Sequence, residues 1–453
     1  MAPIEGFRLS PQQSHLWSLQ QGGDGLPYRA QCAVLIEGSL NLPVLKTALR
    51  DVFSRHEILR TTFRCPQGFT IPLQVVDAES ALTIEEYNLS AFDSLRQEAE
   101  IEPLFQKIGQ VPFDLANGPV LRICLLTLDA ARHLLIVNAP SLCVDATSIK
   151  LLVREISRSY AAFGQCRTPL GSPLQYADLA EWENELLEAE DAREGVKHWC
   201  EADASIAGSP KLPFDKRSFA GAAFEPRLVT SPLHPDLIAQ IGKLVAKHDA
   251  SISAFFLACW EILFSRLTGE SDFVVGLVCD GRNYDELREA LGPFAKTLPF
   301  QCRSEELLPF SELLKRIDAS VRDAIQWQEY FVIDEFAQLK REPGENRFFP
   351  IAFELTDVEA EYTEGGIQIS ILKEYSCSDR FTLKLSCVKK GERLIANLHY
   401  DSSVFSAEDA GRIAQEFQTL LESACANPES SIAILDIMSP NELLRVLTEF
   451  NDA

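Results

Sequence analysis

Apolar residues recur at helical spacing in some stretches of this chain and as short continuous runs in others, and the two patterns alternate. SPQQSHLWSLQQ predicts an opening helix, with Ser10 able to cap it and Pro11 at the first helical position. QCAVLIEGSL predicts a strand. A helix follows from about Asn41 to His56, with Leu42, Leu45, Leu49, Val52 and Phe53 on one side. VLRICLLTLDAARHLLIVNA reads as two apolar strands joined by a turn at Asp129 to Arg132. SIKLLVREISRSYAAF sets Ile149, Leu152, Val153, Ile156 and Tyr160 in one stripe of a helix. Pro- and Gly-bearing segments at Thr168 to Pro173 and Gly208 to Pro213 bracket a further helix, ADLAEWENELLEAEDAREGVKHW.

The second half repeats these patterns. LIAQIGKLVAKHDASISAFFLACWEILFSRL reads as helix and DFVVGLVCD as strand. SELLKRIDASVRDAIQ is helical, and strands follow in FFPIAFEL, IQISILKEY, FTLKLSCV and ERLIANLHY. SAEDAGRIAQEFQTLLESA closes the series as a helix. Two comparable halves of mixed strands and helices predict two α/β sandwiches.

Composition narrows the function more than the fold. A length of 453 residues suffices for two or three domains or subdomains. A net charge of −24 disfavours nucleic acid and anionic membrane, which call for basic surfaces. No apolar run approaches the ~18 residues of a membrane span, and MAPIEGFRLS lacks a signal-peptide pattern. Cytoplasmic residence is the expectation. The twelve cysteines are scattered without paired spacing and read as reduced thiols. The seven histidines form no HxxxH or HxH cluster, so no metal site is expected.

Several segments, in order, carry a resemblance. RLSPQQSHLWSLQQ is similar to LSxxQxxLWxL, and Arg55 to Phe63, RHEILRTTF, fits RHExLRTxF at every fixed position. LQYADLAEW is similar to YxDYAxWQ. LGPFAKTLPFQCR is similar to GxFVNTLPLR, with Lys296 where Asn is usual. HYDSSVF is similar to YDxxLF. Together these resemble the condensation domains of nonribosomal peptide synthetases. The resemblance implies an α/β fold of two chloramphenicol-acetyltransferase-like subdomains in a V-shaped pseudodimer with a central tunnel. The expected division is 1–175, 176–435 and a linker, 436–453, toward an adenylation domain. It further implies donor and acceptor carrier proteins as partners, substrates delivered on phosphopantetheine arms, no cofactor bound by the domain itself, and a monomer when excised.

One motif departs from the family. Where HHxxxDG is usual, this chain reads Pro140, Ser141, Leu142, Cys143, Val144, Asp145, Ala146. The second histidine, placed in the family as base or hydrogen-bonding group for the attacking amine, falls on Ser141. A serine hydroxyl has no useful basicity near neutral pH, although it can orient an amine or donate to an oxyanion. Ser141 and Asp145 are therefore the catalytic candidates. In relatives the Asp pairs with an arginine of RHExLRTxF, which maps onto Arg60, and Ser148 is a further support as a cap of the following helix. Cys143, between Leu142 and Val144 and with no histidine near in sequence, reads as a small buried hydrophobe. Pro140 and Ala146 suggest a reshaped turn. Lys296 is expected on the solvated surface; pointing inward, it could bind a substrate carboxylate or stand in for the lost polar chemistry.

Three functions remain open: an atypical condensation enzyme joining a donor thioester to an acceptor amine (or hydroxyl) through proximity, a non-catalytic platform recruiting carriers or tailoring enzymes, and a heterocyclisation domain. The last has the pattern DxxxxDxxS, which Asp145 and Ser148 match but Pro140 does not. A free-standing acetyltransferase is disfavoured, because it too relies on the missing histidine.

Overall fold

The computed structural model describes residues 5–21, 25–165, 171–205, 224–333, 348–358 and 361–439. Its strands are β1 (Arg29–Glu37), β2 (Thr61–Arg64), β3 (Leu73–Val76), β4 (Ile84–Asn88), β5 (Arg122–Thr127), β6 (Arg132–Pro140) and β7 (Pro226–Pro232). They continue as β8 (Asp272–Cys279), β9 (Lys296–Arg303), β10 (Ile351–Val358), β11 (Glu361–Glu364), β12 (Ile367–Ser376), β13 (Leu383–Lys390) and β14 (Arg393–Asp401). The helices are α1 (Pro11–Gln20), α2 (Leu42–Arg55), α3 (Ser94–Gly109), α4 (Ala146–Gly164) and α5 (Tyr176–Glu188). Then come α6 (Arg193–Ser205), α7 (Pro235–Lys247), α8 (Ile252–Thr268), α9 (Phe310–Gln326) and α10 (Ala407–Ala426).

The chain forms two compact units, and neither is a continuous stretch. The first comprises Met1–Arg193, Asp280–Ala295 and Glu359–Asp379; the second comprises Glu194–Cys279, Lys296–Val358 and Arg380–Ala453. The division expected at 175/176 thus gives way to one in which α5 and two segments of the second half belong to the first unit. The physical reason lies in the strand pairing. β12 adds to the first unit's sheet along β1, paired from Ala30↔Ser376 to Glu37↔Gln368 with a register shift between Ala33 and Val34, and backbone pairing of this kind leaves no trace in local periodicity. The segments Thr168 to Leu170, Gly208 to Pro213 and most of the expected linker, 440–453, lie outside the described residues.

In the first unit the six-stranded sheet runs β11-β12-β1-β6-β5-β4. It is antiparallel except for β4 beside β5. β6 is buried at nearly every position, so its sequence is a continuous apolar run rather than an alternation. α3 packs on the face bearing Ala33, Leu134 and Ile136 through Phe105 and Ile108. The sequence pattern above does not include this helix, which carries Pro103 in its interior. α4 buries Ile149, Leu152, Val153, Ile156 and Tyr160, the stripe that spacing predicts. α1 is capped by a reciprocal pair: Ser10 Oγ accepts from the Gln13 amide and the Gln13 side chain accepts from the Ser10 amide.

In the second unit the sheet runs β7-β14-β13-β10-β8-β9, with β10 parallel to both neighbours. α8 is buried at every position from Ala254 to Phe264, as a helix apolar all round must be. The apolar stretch that reads as one helix is two: Asp249, at φ 51°, turns the chain between α7 and α8. α5 and α6 are likewise separate, divided by a short 3-10 turn at Glu190–Ala192. Among the described residues no single helix is long and apolar enough to cross a membrane.

Candidate active site

The altered motif occupies the turn between β6 and α4. β6 ends at Pro140, paired in register with Arg29 of β1. The Ser141 amide donates to the Tyr28 carbonyl at 3.1 Å. The Cys143 and Val144 amides both return to the Pro140 carbonyl, at 2.8 and 3.2 Å. A tight turn results, and α4 begins at Ala146 immediately after it. From α1, Gln13 Nε2 donates to the Leu142 carbonyl at 3.0 Å, so the opening helix is tied to the same turn.

Asp145 is the centre of the arrangement and is 1 % exposed. One carboxylate oxygen accepts from the Ser148 amide at 2.7 Å, capping α4, and from Arg282 Nη2 at 3.2 Å. The other accepts from Arg282 Nη1 at 3.1 Å and from the Phe294 and Ala295 amides at 3.0 and 3.1 Å. Five donors thus surround one buried carboxylate. Burial works against the Arg282 charge, but Asp145 and Asp280 outweigh it and hold the guanidinium's pKa above its ordinary value. The guanidinium also lies 4.5 Å above the Phe294 ring. Ser148 Oγ donates to the Gly292 carbonyl at 2.7 Å and accepts from the Gly292 amide and Arg282 Nη2.

Arg60 does not hold Asp145. Its Nη1 donates to the Asp77 carbonyl at 3.2 Å, and its Nη2 lies 3.6 Å from Glu57. The short 3-10 turn Glu57–Arg60 keeps Arg60 beside β3 instead of under the altered turn. The rest of RHEILRTTF joins α2 to α4: Arg55 and His56 both contact Glu155, at 2.8 and 2.5 Å. Sequence reasoning missed Arg282. It follows Asp280 and Gly281 in an unmarked turn, and nothing in its spacing identifies a buried partner 137 residues away.

Of the motifs that carried the resemblance, LGPFAKT reaches Asp145 directly, and two others meet that segment through Tyr176 and Ser10. A Cβ on Gly292 would lie 1.9 Å from the Tyr176 ring, so LGPF needs its glycine. The Tyr176 hydroxyl meets Ser10 Oγ at 2.8 Å and donates to the Pro293 carbonyl at 3.1 Å, while its ring stands edge-on to Phe294. Burial pushes the Tyr176 phenol well above its usual pKa, which keeps it neutral.

Neither catalytic candidate is poised as a base. Ser141 is fully buried, and its Oγ donates to the Cys377 carbonyl at 2.8 Å. Both oxygens of Asp145 already accept from Arg282 and from backbone amides. Cys143 is also fully buried, and burial pushes its thiol pKa up, the behaviour of a packed hydrophobe rather than a nucleophile. Lys296, expected on the surface, is 8 % exposed at the start of β9 in the second unit, with Nζ 3.4 Å from the Gln328 carbonyl. Its strand register places it opposite Cys279 on β8. Among the described residues no group of His, Cys, Asp and Glu could hold a metal.

Comparison with known proteins adds the lineage. The chain is 29% identical over 456 residues to one of the linear gramicidin synthase proteins of Brevibacillus parabrevis, a match that covers 99% of this chain and 9% of that protein. Among solved structures, the first condensation domain of the calcium-dependent antibiotic synthetase, in complex with a substrate analogue, superposes with a TM-score of 0.83 at 18% identity, covering 96% of this chain and 100% of that one. The X-domain from teicoplanin biosynthesis, solved in complex with OxyB, superposes at 0.80 with 23% identity over 97% of each chain. Both carry the same fold. The condensation-domain family profile matches residues 5–445, and the chain belongs to that family.

Proposed function

We propose that this domain joins a donor acyl or peptidyl thioester to an acceptor amine within a nonribosomal peptide synthetase, by holding two carrier-borne arms together without a histidine base. The partners are a donor and an acceptor carrier protein and a neighbouring adenylation domain; the phosphopantetheine arms come with the carriers. The observation that carries this reading is the complete Asp145–Arg282–Ser148 network. It fixes the motif turn and the start of α4 although both histidines are absent. Aminolysis of a thioester between tethered reactants gains mainly from proximity, which needs position rather than basicity.

A second reading, a recruiting platform, is favoured by a specific observation: the Ser141 hydroxyl is buried and donates to a backbone carbonyl. One protein of this fold is an X-domain solved in complex with OxyB. One experiment separates the two. Loaded donor and acceptor carriers are mixed with the domain for a single turnover, and the intact carriers are weighed by mass spectrometry. Condensation predicts product from the parent protein and a loss of about tenfold or less in Ser141→Ala, the worth of a neutral hydrogen bond. A base would contribute typically ~10²–10⁴-fold. Absence of product with cognate carriers supports the platform.

A further inference from the structure

Two aromatic side chains of the first unit meet on its surface while both stay open to solvent. Trp182 stands on α5 and Tyr284 just ahead of the 3-10 turn Asp285–Leu287. Their rings are edge to face, 5.7 Å apart at 85°, and the residues are 41 % and 46 % exposed. Apolar residues exposed singly are ordinary on a protein surface. A touching Trp and Tyr are a different matter, because these two residues offer large, rigid contact area and dominate the centres of binding surfaces.

Both walls of this corner are fixed. α5 is seated through its buried Tyr176, Ala177 and Ala180. Tyr284 is held by its own turn: its carbonyl accepts from the Leu287 amide at 3.0 Å, and Leu287 is buried. Arg282, bound to Asp145, fixes the chain immediately before it. Docking at the corner therefore has few side chains left to order.

The charge around the corner has one sign. Asp178 and Glu185 lie on the same side of α5 as Trp182, by their four- and three-residue spacing from it. Asp285 and Glu286 follow Tyr284, and all four carboxylates are exposed. Between Tyr176 and Ala192 the sequence contains no Lys or Arg. Arg8 does reach α5, but Glu181 and Glu188 hold it, at 2.6 and 2.5 Å. Arg288 lies 2.8 Å from Asp285. Two ring faces at right angles, with carboxylates beside them, suit a flat cation. A guanidinium stacks on an aromatic face and keeps its N–H groups for carboxylates, which a compact ammonium does less well.

We propose that the Trp182–Tyr284 corner docks a partner protein through an arginine side chain at the centre of a basic surface. The proposal is independent of whether the domain catalyses condensation, since neither ring belongs to the hydrogen-bond network of Asp145.

The test follows the indole N–H resonances of the isotope-labelled whole chain as a capped peptide of alternating glycine and arginine is added. The Trp182 resonance is the one lost in Trp182→Phe. The arginine peptide shifts it in preference to the other indoles. The same peptide with citrulline, isosteric and neutral, binds at least about threefold more weakly, as loss of an exposed cation–π contact implies. Tyr284→Ala lowers affinity for the arginine peptide by a similar factor. Glu312→Gln, at an exposed carboxylate on α9, leaves that affinity unchanged and so separates the corner from general attraction to a chain of net charge −24. Equal binding of the two peptides, equal shifts at every indole, full affinity in Tyr284→Ala, or an equal loss in Glu312→Gln overturns the proposal.

Discussion

At the scale of single residues, the chemistry of the motif turns on which cation meets Asp145. The carboxylate and Arg282 are both almost fully buried, with side chains 2 % and 1 % exposed. Removing one partner of such a pair leaves a buried charge uncompensated, at a cost of roughly 3–5 kcal/mol. Arg282→Met is therefore expected to lower the melting temperature markedly, and Asp145→Leu/Arg282→Met to recover part of the loss. Arg60, with its side chain 17 % exposed and an acidic neighbour at 3.6 Å, is expected to cost about 1 kcal/mol or less as Arg60→Met. Chemical denaturation of the parent and the three variants measures this. Equal losses for Arg60→Met and Arg282→Met would return the structural role to Arg60.

Among the elements, α8 holds an unusual group. Glu261 sits in the middle of this buried helix at 1 % exposure. Burial raises its pKa to about 7, against the opposing pull of Arg316, Cys302, Ser304 and the Arg303 amide. The sign of the consequence follows from linkage. The folded state holds this proton more tightly than the unfolded chain does, so nothing is lost below the ordinary carboxylate pKa of 4.5. Stability then falls as pH rises from there through about 7, by roughly 3 kcal/mol in total at about 1.36 kcal/mol per pKa unit. Glu261→Gln removes the titration. It is expected to leave urea stability near pH 4.5 almost unchanged and to raise it at about pH 8. A Glu261→Gln variant no more stable than the parent under the alkaline condition would show that Arg316 keeps the carboxylate ionised.

For the whole molecule, charge and family point the same way. A chain of net charge −24 repels phosphate backbones. Binding of phosphopantetheinylated carrier proteins is expected to exceed binding of a short duplex at ~0.1 M salt, where phosphate contacts still contribute. Titration of both against one preparation reads this directly, and tighter binding to the duplex would remove carriers from the proposed function. That function also needs larger surroundings, since the chain spans 9% of the length of the linear gramicidin synthase protein it matches.

Much of this was legible in the sequence because it is local. The stripe Ile149 to Tyr160 fixes α4 and its buried face, Ser10 with Pro11 fixes the start of α1, and PSLCVDA alone shows that no histidine stands at the motif. Side-chain spacing along one element carries such facts. The tertiary structure decided everything that depends on distant backbone. It brought Arg282 rather than Arg60 to Asp145, and the Cys377 carbonyl to the Ser141 hydroxyl. It assigned Asp280–Ala295 and Glu359–Asp379 to the first unit, and it buried Lys296 at the start of β9. Each of these is a choice among partners of similar chemistry. Strand register and burial make that choice, and neither is written in the local period of a sequence.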